Sequence, residues 1–62
     1  MDNSPNDVIF EYFQAGNAIK VTAVDVATGV EATVVTPKKL SEPQRKLIAL
    51  QKLHYVLGRK IL

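Results

Sequence analysis

The ionisable residues, which are the first candidates for chemistry, occur in few combinations. The chain has one histidine and no cysteine, so a single copy cannot supply a multi-histidine or thiolate metal site. His54 lies near the middle of an apolar stripe, and no motif pairs it with the carboxylate or nucleophile that a catalytic histidine needs. We interpret His54 as a partly buried structural residue, with a pH-sensitive interface as the alternative.

Two carboxylates, Asp25 and Glu31, flank the segment ATG at residues 27–29. Paired carboxylates can perform acid–base chemistry or bind a cation. An acid beside a tight turn more often accepts hydrogen bonds from loop amides, and we favour that role for Asp25. The ATG segment lacks the several glycines and the lysine of a phosphate-binding loop. We therefore expect no catalytic residue, no metal site and no cofactor, and we predict that the protein is not an enzyme.

Positive charge is concentrated in the second half of the chain. Acidic residues outnumber basic ones up to residue 31, and basic ones dominate from residue 38. The seven-residue spacing of Arg45, Lys52 and Arg59 predicts a basic stripe on a helix. A basic helix face can contact phosphates. Because the net charge is only +2, we favour a solvated face that complements the helix dipole. The candidate partner or phosphate contacts are Lys38, Lys39, Arg45, Lys46, Lys52 and Arg59.

Three strands are predicted to precede the helix. Each is rich in β-branched or aromatic residues. Gly16 and Asn17 suit a two-residue hairpin turn, and residues 27–29 suit a three-residue loop. Pro37 cannot donate to a ladder and should end the sheet. Connections this short predict an antiparallel meander. The predicted strands are residues 7–13, 18–26 and 30–36.

The loop lengths predict the register, and the register decides which side chains share a face. The two-residue turn places Tyr12 opposite Val21, and the three-residue loop places Val24 opposite Ala32. Both faces are then substantially apolar. The first is predicted to hold Val8, Phe10, Tyr12, Ile19, Val21, Ala23 and Val35. The second is predicted to hold Ile9, Phe13, Val24, Val26, Val30, Ala32 and Val34, together with Glu11, Lys20 and Thr22.

A helix is predicted to begin at SEPQ, residues 41–44. Ser41 is the expected N-cap, Pro43 lies in the first turn, and Gln44 completes a capping box. Gly58 weakens the helix near its end, where it either permits close packing or lets the last turn fray. At helical spacing the core-facing stripe should be Leu47, Leu50, Leu53, Leu57 and Ile61. A second apolar stripe comprises Ile48, Tyr55 and Leu62.

The small size of the chain and its second apolar face together predict a partner. A lone core below about 70–80 residues seldom supplies more than about 3–5 kcal/mol. One helix covers one face of a three-stranded sheet, and monomers rarely expose large apolar patches. Since two-fold symmetry is the commonest closure, we predict a homodimer. The alternative is a monomer whose second face is wetted by its polar residues. The expected interface residues are Ile9, Phe13, Val24, Val26, Val34, Ile48 and Tyr55.

The predicted fold class is α+β, a three-stranded antiparallel meander followed by one C-terminal amphipathic helix. We expect residues 1–6 to be disordered and residues 7–62 to form a single domain. The N-terminus lacks the features of a signal peptide, and no apolar run reaches the ~20 residues of a membrane span. We therefore expect a soluble, cytoplasmic protein with no membrane partner.

The chain also resembles a family of small, uncharacterised bacterial proteins, mainly alphaproteobacterial, defined as a domain of unknown function. The combination that carries the resemblance is GN, then KVTAVD, then ATG, with KLHYVL near the end, across residues 7–58. The resemblance implies a bacterial, cytoplasmic protein and transfers no activity or catalytic residue. The function that we predict is a non-enzymatic, homodimeric protein-interaction module. Nucleic-acid binding through the basic helix surface is the alternative.

Overall fold

The computed structural model describes residues 7–58, in which three strands precede one helix. The strands form one antiparallel sheet in the order β1-β2-β3, so the predicted α+β meander is confirmed. The expected disorder of residues 1–6, and the expected helical positions of Ile61 and Leu62, lie outside the described residues. The elements are β1 (Val8–Ala15), β2 (Ala18–Asp25), β3 (Glu31–Pro37) and α1 (Glu42–Val56).

The first hairpin has the predicted two-residue turn. Ala15 pairs with Ala18, and Tyr12 lies opposite Val21 as expected. Gly16 has a φ of 60°, whereas Asn17 has a negative φ. This combination is typical of a type II′ turn, whose first central position favours glycine because its φ is positive.

The second hairpin differs from the prediction by one residue. Val24 lies opposite Glu31, and Ala23 lies opposite Ala32. The cause is a longer loop, since the backbone N–H of Asp25 donates to the carbonyl of Val30 at 2.9 Å and residues 26–29 lie between them. The predicted three-residue loop, and the register that depended on it, are therefore wrong.

In this register, four residues in and just before β3 lie on the opposite face of the sheet from the one predicted. Val30, Ala32 and Val34 lie on the side of the sheet that packs against the helix, and Val35 lies on the outer face. Val26 belongs to the turn that follows β2. The outer face is thus more polar than predicted, and a hydrogen bond of 2.9 Å between the hydroxyls of Thr22 and Thr33 crosses its middle. The outer face holds Ile9, Glu11, Phe13, Lys20, Thr22, Val24, Glu31, Thr33 and Val35.

The helix begins at the predicted N-cap, and its last residue is Val56, two residues before Gly58, for which the sequence left close packing or fraying open. The Ser41 hydroxyl accepts from the Gln44 amide at 3.3 Å, and the Gln44 side chain accepts from the Ser41 amide at 2.9 Å, which confirms the capping box. Gly58, with a φ of 76°, donates its N–H to the carbonyl of Tyr55 at 3.0 Å. Gly58 therefore ends the helix in the left-handed conformation that glycine favours.

The core lies between α1 and the strands β2 and β3. The helix buries Arg45, Ala49 and Leu53, which recur at four-residue spacing. Leu50 and Leu57 pack against this cluster as predicted. Leu47, expected in the core, is exposed, because the buried stripe is rotated around the helix toward Arg45. The buried hydrophobic residues are Val21, Ala23, Ala32, Ala49 and Leu53.

Candidate functional site

The two carboxylates beside the second hairpin do not meet. Asp25 is buried, and its Oδ2 accepts from the amide of Thr28 at 3.1 Å and from its hydroxyl at 2.7 Å. The predicted structural role of Asp25 is confirmed. Glu31 is exposed and faces the opposite side of the sheet, because its register position alternates with that of Asp25. Asp25 closes the loop, and the two acids form no paired site.

His54 is half-buried in the last turn of α1. The core-facing side chain at this level is its neighbour Leu53, so His54 lies beside the buried stripe and not within it. Within residues 7–58, no three His, Cys, Asp or Glu side chains gather in an arrangement that could hold a metal ion.

Arg45 was predicted to be a surface cation, and its burial corrects that interpretation. The side chain is only 8% exposed. One terminal nitrogen donates to the carbonyl of Lys38 at 2.9 Å and to the carbonyl of Leu40. The guanidinium thus fastens the β3–α1 connection to the helix. Its Nε is buried and has no hydrogen-bond partner among the described residues.

The other predicted cations are divided among different sides of the molecule. Lys46 lies 3.7 Å from Glu42 and 5.6 Å from the centre of the Phe10 ring, which places it on the β1 side of the helix. Lys52 donates to the backbone carbonyl of Thr33 at 2.7 Å, on the β3 side. Lys38 and Lys39 are exposed in the connection, and Arg59 lies outside the described residues. The described cations therefore form no continuous stripe.

A cleft of about 210 Å³ opens between β1 and the start of α1, lined by Tyr12, Ile19, Glu42 and Arg45. The pKa of Tyr12 is raised above 10.0, first because burial disfavours the phenolate, and second because Glu42 is negatively charged and accepts a hydrogen bond from the phenol. Arg45 opposes this shift. The cleft thus favours the neutral phenol of Tyr12.

The two edge strands of the sheet differ in whether a side chain covers their outward-pointing backbone groups. The Val26 amide donates to the carbonyl of Asp7 at 3.1 Å, and hydrogen-bonded pairs alternate along an antiparallel ladder. The backbone N–H and C=O groups of Phe10, Tyr12 and Gln14 therefore point away from β2. By the same rule, those of Glu31, Thr33 and Val35 point outward from β3. Lys52 covers the β3 edge at Thr33, whereas within residues 7–58 no strand pairs with the outer edge of β1.

Exposed large apolar side chains among the described residues lie on both β1 and α1, and those on the helix are Leu47, Ile48, Tyr55 and Val56. Ile9 is 49% exposed, Tyr12 is 42% exposed and Phe13 is 65% exposed, and these three side chains point to both faces of the strand. The cause is the position of the helix, which contacts β1 less than it contacts β2 and β3. Among the described residues, β1 therefore has an unpaired outer edge and an exposed outer face, whereas Val8 and Phe10 on its helix side pack against the core.

The comparisons with known proteins identify a family. A family model described as Domain of unknown function (DUF6898) matches residues 5–60. The chain belongs to the DUF6898 family. No curated protein and no solved structure matches the chain. No helix in the described part of this DUF6898 chain is long and apolar enough to cross a membrane.

Sequence reasoning missed two features of this DUF6898 chain. The buried role of Arg45 follows from its four-residue spacing to Ala49 and Leu53, a signal that was masked because arginine is rarely core-facing. The open edge of β1 follows from the strand order together with the placement of the helix. The absence of proline and lysine from VIFEYFQA is a sequence signal that could have identified β1 as an unprotected edge.

Proposed function

We propose that this DUF6898 chain is a non-enzymatic interaction module that forms a homodimer through the β1 surface. The β1 surface comprises the exposed apolar side chains of Ile9, Tyr12 and Phe13. The observation that carries the proposal is the exposure of Ile9, Tyr12 and Phe13 on a strand that contacts the helix less than β2 and β3 do. Contiguous apolar patches of a few hundred Å² on soluble proteins usually mark interaction sites.

The size of the core supports a partner. Among the described residues, three of the five buried hydrophobic residues, Ala23, Ala32 and Ala49, are alanines, which remove little apolar surface from water. Covering a patch of a few hundred Å² is worth several kcal/mol at about 25 cal/mol per Å². That amount is comparable with the whole stability expected of so small a domain.

The proposed interface includes some of the interface residues that the sequence predicted and omits others. Ile9 and Phe13 lie within the β1 surface, and Val24 borders it because Val24 pairs with Ile9. Val34 packs against the core and is therefore removed from the interface. Val26 lies in the turn after β2 and is not part of it. The two helix residues of the predicted interface, Ile48 and Tyr55, share the helix side of Lys52 by their spacing, away from β1.

Nucleic-acid binding is not part of the proposal. A phosphate-binding face needs several free cations on one side of the protein. Arg45 is buried, Lys52 is bonded to the carbonyl of Thr33, and Lys46 lies on another side of the helix. No specific observation among the described residues favours nucleic acid.

A matched pair of variants tests the proposed interface. We expect Phe13→Ser to raise the dimer dissociation constant by about tenfold to 100-fold, because truncating a central aromatic contact typically costs about 1–3 kcal/mol. Tyr55→Ser removes an aromatic ring that is 82% exposed on the opposite flank, and should leave the constant unchanged. Sedimentation equilibrium measures both, with circular dichroism to confirm folding. Equal effects of the two variants would contradict a dimer centred on β1.

A further inference from the structure

We infer that the surface facing β1 in the dimer is the β1 strand of a second copy, paired edge to edge and antiparallel. The two three-stranded sheets would then join into one six-stranded sheet. This inference rests on the proposed homodimer and adds its geometry, which the exposure of the side chains alone does not specify.

The backbone of β1 is suited to pairing. Its eight residues pair with β2 in an uninterrupted register, so no bulge twists the outer edge away from a partner. The N–H and C=O groups of Phe10, Tyr12 and Gln14 all point outward. β1 contains neither proline nor lysine, the residues with which proteins commonly block an edge strand.

The outer edge of β3, unlike that of β1, is protected against pairing with another strand. Lys52 reaches across it and occupies the carbonyl of Thr33. Pro37 ends the strand, and the charged Lys38 and Lys39 follow it. One edge of the same sheet is thus protected by three devices known to prevent strand addition, and the other edge has none of them. Such an asymmetry indicates that β1 is the edge used for association.

A two-fold axis through Tyr12 gives a consistent register. Outward-pointing residues must face each other in a hydrogen-bonded pair, so Tyr12 faces its own counterpart and Phe10 faces Gln14 of the second copy. This register places Glu11 opposite Phe13. An axis through Glu11 would instead set two like charges directly opposite, which is unfavourable.

In the same register, the β1 surface of each copy covers the β1 surface of the other. Diagonal neighbours across an antiparallel pair lie within reach of aromatic side chains. Phe13 of each copy is then diagonal to Phe13 and Ile9 of the other copy on the outer face. Tyr12 of each copy is diagonal to Phe10 of the other on the helix side. A second copy therefore covers apolar side chains on both faces of β1 as it satisfies the edge, which argues for a second copy over an unrelated strand.

Amide hydrogen exchange of the full chain, followed by NMR at a concentration where its mass is that of a dimer, tests the geometry. In edge pairing, the amides of Phe10, Tyr12 and Gln14 should exchange about 100-fold or more slowly than the outward amides of Thr33 and Val35. Fast exchange at all five positions in a dimer would overturn edge pairing and leave the proposed homodimer intact. A monomer at every concentration would overturn both.

A pair of proline variants gives a second, independent readout. Gln14→Pro removes one outward N–H from β1 and no hydrogen bond to β2, and should raise the dimer dissociation constant by about tenfold or more. Val35→Pro removes an outward N–H from β3, and should leave dimerisation unchanged. Circular dichroism checks that both variants fold. Retention of the dimer by a folded Gln14→Pro chain would overturn the inference.

Discussion

The side-chain amine of Lys52 donates to the backbone carbonyl of Thr33 at 2.7 Å, so a helix residue occupies the outer edge of the neighbouring strand. Thr33 lies on β3, and its carbonyl points away from β2 because hydrogen-bonded pairs alternate along the ladder. The lysine therefore protects an edge that could otherwise pair with another chain. Among the described residues, no side chain covers the outer edge of β1 in this way, so β1 is the edge open to a partner.

We predict that Lys52→Ala opens the β3 edge. The free energy of unfolding should change by less than about 0.5–1 kcal/mol, since exposed charged contacts contribute little. Light scattering over a concentration series should nevertheless detect species larger than a dimer, because both edges could then pair. Gln51→Ala removes an exposed side chain from the neighbouring helix position and serves as the control. Identical mass distributions for the two variants would contradict the protective role of Lys52.

The register of the second hairpin predicts opposite results for two adjacent valines. Val34→Asp places a charge against the core and should lower the free energy of unfolding by about 3 kcal/mol. Val35→Asp changes a side chain that is 68% exposed on the outer face, and should cost about 1 kcal/mol or less, mainly through lost β-propensity. Chemical denaturation measures both. A larger loss for Val35→Asp would restore the register that the sequence alone suggested.

That hairpin also shows how far the sequence could predict the fold. Turn residues, strand propensity and the capping box led to the correct element order and to the first register. The second register depends on one loop residue, and the hydrogen bonds from Thr28 to the buried Asp25 carboxylate stabilise the longer loop. Loop length of this kind is a tertiary property, because an apolar pattern alone fits both registers.

The helix illustrates the same limit for the candidate site. The sequence identified the buried Leu53, but hydrophobicity alone placed Leu47 inside and Arg45 outside. In the structure Arg45 is buried because the carbonyls of Lys38 and Leu40 accept its hydrogen bonds. Those acceptors belong to the connection before the helix, and their position could not be read from the pattern of apolar residues.

We predict that Arg45 stabilises the fold. Arg45→Met keeps much of the aliphatic packing and removes the hydrogen bonds to the two carbonyls, so it should lower the free energy of unfolding by about 1.5–3 kcal/mol. Lys38→Met removes an exposed charge from the same connection, and should change stability by no more than about 0.5 kcal/mol. Thermal denaturation compares the two variants. Equal stability of Arg45→Met and the natural chain would show that the bonds to the connection are dispensable.

The environment of Tyr12 predicts a pH dependence. Burial, followed by the charge and hydrogen bond of Glu42, raises the pKa of the phenol above 10.0. A raised pKa means that the folded state holds its proton more tightly than the unfolded state, so this contribution to stability is complete below pH 10 and is lost as pH rises through the folded pKa. We expect Glu42→Gln to lower the pKa of Tyr12 in a Tyr55→Phe background, measured by ultraviolet titration of the phenolate. An unchanged or higher pKa would contradict the role of Glu42.

The central claim, that β1 joins two copies of the chain, is tested most directly by the solution mass of the natural chain across a dilution series at low and high salt. Backbone pairing and apolar contacts are only weakly screened by salt, so we predict twice the mass of one chain at both salt concentrations, falling to one chain only on dilution. A single-chain mass at every concentration, or a dimer that dissociates when salt is added, would contradict the account.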